Sequence, residues 1–354
     1  MHIHYNTNQT TLPLEISSFF PQDHLVFTIE RVVNTLEDCY FHAFYHAFAR
    51  PSYHPKMLIA TLLFAYPQGI FSGRKIEKMM IENLAMQYLT GPLVVSYRTI
   101  NRFRVAEGME ELIRNLFMDL NLRLKMEELV TLDCLFIDGT KIEANANKYS
   151  FVWKKATDTK TLLPLLETYP HDLKTVVADA GYGSEENLLR LDEKQVNHLI
   201  KYAMFDKEQK RGYKQSARNL ANWHYDDKED SYTHPYGWYY RFHHIKHQKT
   251  QTDFQQEIKV YYADEPKSAP QKGLYMNERY KNLKAKECQA LLSPEGRQIF
   301  AQRKIDVEPV FGQIKACLGY KRCNLRGKRQ VRIDMGLILM ANNLLKYNKR
   351  TTQN

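Results

Sequence analysis

Two short apolar runs, each ending in an aspartate followed by a glycine-bearing turn, constrain the fold of this chain more than any other feature. Leu-Phe-Ile (135–137) delivers Asp138 and then Gly139. Thr-Val-Val-Ala (175–178) delivers Asp179, followed by Gly181 and Gly183. Nearly continuous apolar runs of this length suit strands covered on both faces. By the two-residue period, Cys134, Phe136 and Asp138 share one face, and Leu135 and Ile137 the other. The glycines allow a tight exit from the second strand into a helix starting at Ser184 or Glu185. Strand, acid, turn and helix make an α/β layout, which gathers ligands at the carboxyl ends of its strands.

A third acid, Glu308, opens Glu-Pro-Val-Phe-Gly-Gln-Ile-Lys (308–315). Pro309 is tolerated in the first turn of a helix starting at Glu308; alternatively it kinks a longer helix that begins near Pro294. On either reading Glu308, Gly312 and Lys315 share one helical face, with Val310, Ile314, Cys317 and Leu318 packed inward. Taken singly, each acid could be a cap, a turn residue or an ion-pair partner. Together they conflict: an aspartate closing an apolar strand is costly to bury unpaired, and three clustered anions repel unless cations neutralise them. Asp138, Asp179 and Glu308 therefore read as ligands of Mg²⁺ (or Mn²⁺) in a two-metal site acting on phosphodiesters. Lys315 is placed to contact the scissile phosphate.

A net charge of +10 favours a polyanionic partner, because each phosphate neutralised by Lys or Arg releases counterions. Charge alone does not separate DNA from RNA or an acidic membrane. The five cysteines include no Cys-x-x-Cys pair and read as reduced thiols. No secretory signal is visible at the N-terminus, and the apolar stretch 57–66 is too short to span a bilayer. A cytoplasmic, nucleoid-associated protein with no membrane partner is expected. No Walker loop, dinucleotide fingerprint or Gly-x-Ser-x-Gly elbow supports nucleotide hydrolysis or acyl transfer. His243, His244 and His247 lie in a strand-like segment without a cysteine pair, which argues against zinc.

Residues 22–127 have helical spacing, with breaks at Arg50-Pro51, 67–69, Gly91-Pro92 and Gly108. Ser72 is a candidate N-cap for a helix with an apolar face of Ile76, Met79, Met80 and Leu84. After a turn at 90–92, Ser96 begins the short basic helix Tyr-Arg-Thr-Ile-Asn-Arg-Phe-Arg (97–104), the outline of a helix-turn-helix reader. Arg98, Asn101, Arg102 and Arg104 are its candidate DNA contacts; a helical bundle whose arginines simply face water is the plainer alternative. Residues 200–293 read as a β-rich insertion, with strands over 231–242 and 256–263. In the basic tail, Lys321, Arg322, Arg326 and Arg329 join Lys315 as candidate DNA contacts, and a helix over 331–347 seals the core.

At these motifs the chain resembles the DDE transposases of bacterial insertion sequences. Residues 50–59 through 97–104 are similar to that family's N-terminal helical domain. Ile-Asp-Gly-Thr-Lys-Ile-Glu-Ala-Asn-Ala-Asn-Lys-Tyr (137–149), Ala-Asp-Ala-Gly-Tyr-Gly-Ser-Glu-Glu-Asn (178–187) and Arg-Lys-Ile-Asp-Val-Glu-Pro-Val-Phe-Gly-Gln-Ile-Lys (303–315) resemble its three catalytic blocks. The resemblance implies an RNase H-like mixed-sheet catalytic domain with Asp138, Asp179 and Glu308 as its metal-binding triad. The expected organisation is a helical DNA-binding domain over 1–127, a first catalytic part over 128–199, the insertion over 200–293, and helices completing the catalytic domain over 294–354. Partners would be the element's terminal inverted repeats and target DNA, bound by a homodimer.

One departure stands out. Asp138 and Asp179 are only 41 positions apart, so residues 142–158 must supply whatever hairpin the sheet contains, as in an internally deleted copy. A shortened transposase that binds DNA without catalysis, and an RNase H-like nuclease without strand transfer, are the alternatives to a DNA transposase.

Overall fold

The computed structural model describes residues 15–45, 53–130, 133–140, 142–143, 159–167 and 173–351. Along the chain run α1 (Leu25–Asn34), α2 (Pro55–Ala65), α3 (Gly73–Glu82), α4 (Leu84–Thr90), α5 (Tyr97–Arg104) and α6 (Met109–Met126). Next come β1 (Cys134–Ile137), α7 (Thr159–Glu167), β2 (Thr175–Ala178), α8 (Glu185–Glu193) and β3 (Asn197–Ile200). The one-turn helices α9 (Phe205–Glu208) and α10 (Arg211–Lys214) lead to β4 (His224–Asp226), β5 (Ser231–Thr233), β6 (Tyr239–Lys249), β7 (Gln255–Ala263) and β8 (Gly273–Met276). Helices α11 (Glu278–Leu292), α12 (Pro294–Asp306), α13 (Glu308–Gly312) and α14 (Lys328–Thr351) complete the order. The fold is mixed α/β, with a helical N-terminal region and both parallel and antiparallel sheets.

The elements divide into two compact units. One draws on Met1–Val130, Thr140–Val152 and Pro309–Asn354, the other on Thr131–Gly139 and Trp153–Glu308. In the helical unit, α2 starts with Pro55 in its first turn and is buried almost all round, from Leu58 to Ala65. Around it, α1 contributes Val26, Ile29, Val32 and Val33, at the spacing of one helical face. Gly73 lets α3 approach α5 closely, since a Cβ there would stand 2.6 Å from Asn101 Oδ1. Ser96 Oγ caps α5 by accepting the Thr99 N–H, as the sequence predicts. Ser72 precedes α3 but makes no side-chain cap, and Leu84 starts the next helix with its side chain exposed instead of extending the apolar face of α3.

The C-terminal helix joins this unit. Ile333, Leu337, Ile338, Met340, Leu344 and Tyr347 of α14 share one apolar cluster with Val26, Leu62, Ile76 and Leu116. By compactness α12 lies in the second unit and α14 in the helical one. Asp334 is fully buried on α14. Its Oδ1 accepts the Tyr66 hydroxyl at 2.5 Å, and its Oδ2 accepts the Tyr320 hydroxyl and the Asn324 N–H. Burial and the carboxylate push both phenols above the usual tyrosine range.

In the second unit β1, β2 and β3 form a parallel sheet in that order, with Ile137 opposite Ala178 and Ala178 opposite Ile200. Both faces are covered, which is why the strands read as apolar runs. Leu135, Ile137, Val176 and Ala178 pack on Leu162, Leu166, Leu188 and Leu191 of α7 and α8. Cys134, Phe136, Val177 and Leu199 face Leu291, Ile299 and Phe300 of α11 and α12. The segment 200–293 holds the antiparallel sheet β4-β5-β6-β7-β8, built on Trp223, Tyr232, Tyr240 and Tyr261. His243, His244 and His247 lie on β6, as the strand reading of that segment requires. From residue 144 on, the hairpin sought in 142–158 falls outside the described residues, as does the break at Arg50-Pro51.

Opposite the carboxyl ends, a cavity of about 320 Å³ is lined by Thr175, Asp192, His198, Lys286, Glu287 and Ser293. The buried His198 ring is paired on one side with Glu287 and on the other with Asp192, at 3.1 Å. Burial opposes its charge, but the two carboxylates outweigh it and raise the imidazole above its ordinary value of 6.5. A group whose native pKa lies above its unfolded value stabilises fully below the unfolded value and loses that contribution as pH rises through the native one. The melting temperature of the protein is thus expected to fall as pH rises from about 6.5 through the native range. The same pH scan of His198→Gln should lack that decline; an unchanged slope would remove His198 as its source.

Candidate active site

Asp138 and Asp179 directly follow the paired residues Ile137 and Ala178 of β1 and β2. Adjacent strands lie about 4.8 Å apart, so register alone sets the two carboxylates side by side. Local N–H groups hold each one. Gly139 N donates to Asp138 Oδ1 at 2.8 Å, and Gly181 N to Asp179 Oδ1 at 3.0 Å. The Asp138 side chain is 15% exposed and that of Asp179 43%.

A cation sits between them. Arg303, from the last turn of α12, places Nη2 at 3.0 Å from Asp138 Oδ1 and 4.0 Å from Asp179 Oδ2. Its guanidinium lies 6.0 Å from the centre of the Phe300 ring. Sequence reasoning assigned Arg303 no role, although it heads the block that ends in Glu308 and Lys315. The available signal was its spacing, five residues before Glu308.

Glu308 is exposed at the start of α13. Of the two readings of Pro309, the break prevails. Helix α12 ends at Asp306, Val307 caps it, and Glu308 opens the next helix. Proline has no N–H to donate into the preceding turn, and its ring clashes with the carbonyl four residues earlier, so α12 does not continue through it. Among the described residues, no three or more His, Cys, Asp or Glu side chains are grouped to hold a metal. The structure thus brings Asp138 and Asp179 together without assembling Glu308 with them. Two adjacent hard-oxygen donors already neutralised by a shared cation are nevertheless a set that fits a divalent ion.

Beyond Glu308 the helix loosens into a π-helical turn, Gln313–Cys317, so simple α-helical spacing does not fix the face of Lys315. In the helical unit Lys315 Nζ donates to Thr140 Oγ1 at 2.5 Å. Ile314 and Leu318 pack inward as expected, but Cys317 is exposed.

The basic helix α5 divides into two sets. Arg98 and Arg102 are exposed. Arg104 is not a DNA contact: it is buried, donating to the Tyr66 hydroxyl at 3.2 Å, to Phe71 O at 2.6 Å and to Asn101 Oδ1 at 2.6 Å. Asn101 is thereby occupied on its carbonyl side, because the basic face of the helix turns one arginine inward against a polar core. Arg74, unremarked in the sequence, joins the exposed set by stacking on Tyr97 beside Arg98. Hydrogen bonding by Arg98 and then by Arg74 lowers the Tyr97 phenol. Lys321, Arg322 and Arg326 are exposed, while Arg329, also exposed, donates to Val105 O and Ala106 O.

No helix among the described residues is long and apolar enough to cross a membrane. A family model described as a transposase DDE domain matches residues 146–344, a span that includes Asp179 and Glu308 and begins just after Asp138. A second, described as a transposase domain (DUF772), matches residues 14–106. No curated protein and no solved structure matches the chain.

Proposed function

The chain belongs to the DDE transposases, a family of polynucleotidyl transferases, and from that premise we propose that it cuts and joins DNA at the ends of a bacterial insertion sequence. The observation that carries this reading is the pairing of Asp138 and Asp179 at neighbouring strand ends of the three-stranded parallel sheet. Asp138 and Asp179 are the ligands of a divalent cation, Mg²⁺ or Mn²⁺, with Glu308 as the third. Such a cation supplies Lewis acidity at phosphorus-bound oxygens and a hydroxide-like water near neutral pH. Gly139 and Gly181 keep the two aspartates oriented through their N–H groups. Glu308 lies five residues after Arg303, in the same unit as the two aspartates.

Water attacks the phosphodiester at an element end and displaces its 3′-oxygen, and the freed 3′-hydroxyl then attacks a target phosphodiester and displaces a target 3′-oxygen. Both steps are displacements at phosphorus, so one set of carboxylates serves both. Arg98, Arg102 and Arg74 grip the DNA backbone, with Lys315, Lys321, Arg322 and Arg326 as further phosphate contacts. Two element ends must be held together, so a homodimer is the working form on DNA.

The test is purified protein, Mg²⁺ and duplex DNA carrying the inverted repeats that flank the coding frame. Cleavage with strand joining supports the reading. Cleavage without joining identifies a nuclease. Specific binding without cleavage identifies a shortened DNA-binding transposase, for which the 41-residue interval between the aspartates is the supporting observation.

A second measurement separates grip from fold. The double variant Arg98→Ala/Arg102→Ala should weaken binding to all duplexes and lower the slope of log affinity against log salt by about 2, roughly one per lost phosphate contact. Arg104→Ala should instead lower the melting temperature. An unaltered salt slope in the double variant would exclude α5 from the DNA interface.

A further inference from the structure

Arg303 occupies the ground between the two aspartates in a way unlike a permanent structural partner. A guanidinium that locks a carboxylate commonly does so through two parallel N–H···O bonds. Here a single nitrogen reaches both carboxylates, at 3.0 and 4.0 Å, and the buried Nε has no hydrogen-bond partner. The contact neutralises charge without fixing geometry. With the Arg303 side chain 10% exposed and that of Asp138 15% exposed, solvent screens this attraction far less than it would on an open surface.

A divalent ion coordinated by Asp138 and this guanidinium would draw on the same oxygen, and the two cations would repel each other across a poorly screened gap. One must therefore leave for the other to bind well. Arginine has an alternative anion once DNA is present, because its planar fork matches phosphate oxygens. We propose that Arg303 is a built-in counter-ion that holds the Asp138–Asp179 pair against divalent cations until DNA arrives, and then moves to a DNA phosphate, coupling metal loading to DNA binding. This inference rests on the metal-binding role proposed above for the two aspartates. Coupling of this kind is reciprocal: DNA raises the affinity for metal by the same factor as metal raises the affinity for DNA.

The test is Mn²⁺ binding, read from the electron paramagnetic resonance of the free ion. The full-length protein is compared with Arg303→Gln, Arg303→Lys and Asp138→Asn, each with and without a duplex element end. Without DNA, Arg303→Gln should bind Mn²⁺ about tenfold or more tighter than the parent. The duplex should tighten binding by the parent and change Arg303→Gln little. Lysine keeps the charge but loses the planar fork, so Arg303→Lys should fall between the two, and it supplies the measurement if the glutamine variant does not fold. Equal Mn²⁺ affinity in the parent and the Arg303 variants, with binding lost in Asp138→Asn, overturns the counter-ion role and leaves the metal site standing. If Asp138→Asn binds Mn²⁺ as the parent does, the site assignment itself falls, and the role of Arg303 with it.

Discussion

Asp138→Asn is expected to abolish DNA cleavage and joining, lowering the rate by about 10³-fold or more, while DNA binding persists. The magnitude follows from the chemistry: removing one preorganised electrostatic contributor at phosphorus or an oxyanion commonly costs 10²–10³, and a lost metal ligand affects both the attacking and the leaving oxygen. Asparagine keeps the shape and can still accept from Gly139 N, so the strand end is preserved. The change removes half of the charge facing Arg303, leaving its guanidinium with Asp179 at 4.0 Å. A modest fall in melting temperature is therefore expected alongside the catalytic loss. Single-turnover cleavage of a labelled element end and a thermal melt of the same preparation separate the two effects. Cleavage at the parental rate would remove Asp138 from the chemistry.

The largest stability effect is expected far from that chemistry, at Asp334. Its carboxylate is fully buried and satisfies two phenols and one backbone N–H, from Tyr66, Tyr320 and Asn324. Arg104 is linked to the group through the Tyr66 hydroxyl. Asp334→Ala strands two buried phenols, removes the acceptor of the Asn324 N–H and deprives the buried guanidinium of its nearby negative charge. Losing one partner of a buried charge network costs about 3–5 kcal/mol, against a typical total of about 5–15 kcal/mol. Urea unfolding followed by circular dichroism should show the helical signal melting at much lower denaturant than in the parent. Tyr66→Phe and Tyr320→Phe each remove a single hydrogen bond and should cost about 1–2 kcal/mol. A shift at Asp334→Ala no larger than that of either phenylalanine variant would show that the carboxylate is not the hub.

The same aspartate shows where sequence reading stops. In the sequence Asp334 is one acid within a basic tail, and nothing local marks it as buried. Its partners lie 268, 14 and 10 positions away. Arg104 was misassigned for the same reason: composition shows three arginines on a short helix, but only packing shows which one turns inward. By contrast, β1 and β2 were legible because both faces of the sheet are covered, so burial is written into every residue of the run. Alternation then placed Leu135 and Ile137 opposite Cys134 and Phe136. The Asp138–Asp179 pairing follows from the parallel register of β1 on β2, which packing sets and no local pattern shows. Arg303 was not legible, since a guanidinium reaching across from a helix depends on how α12 packs against the sheet.

The discontinuous make-up of the helical unit bears on the order in which this protein matures during synthesis. Helices α1 to α6 are translated before α14, yet the face they build around Val26, Leu62 and Leu116 is closed by that later helix. Any product whose translation stops before residue 328 would carry the proposed DNA contacts Arg98 and Arg102 on a bundle with an open apolar seam. Such a fragment would expose the kind of apolar surface that chaperones and proteases act on.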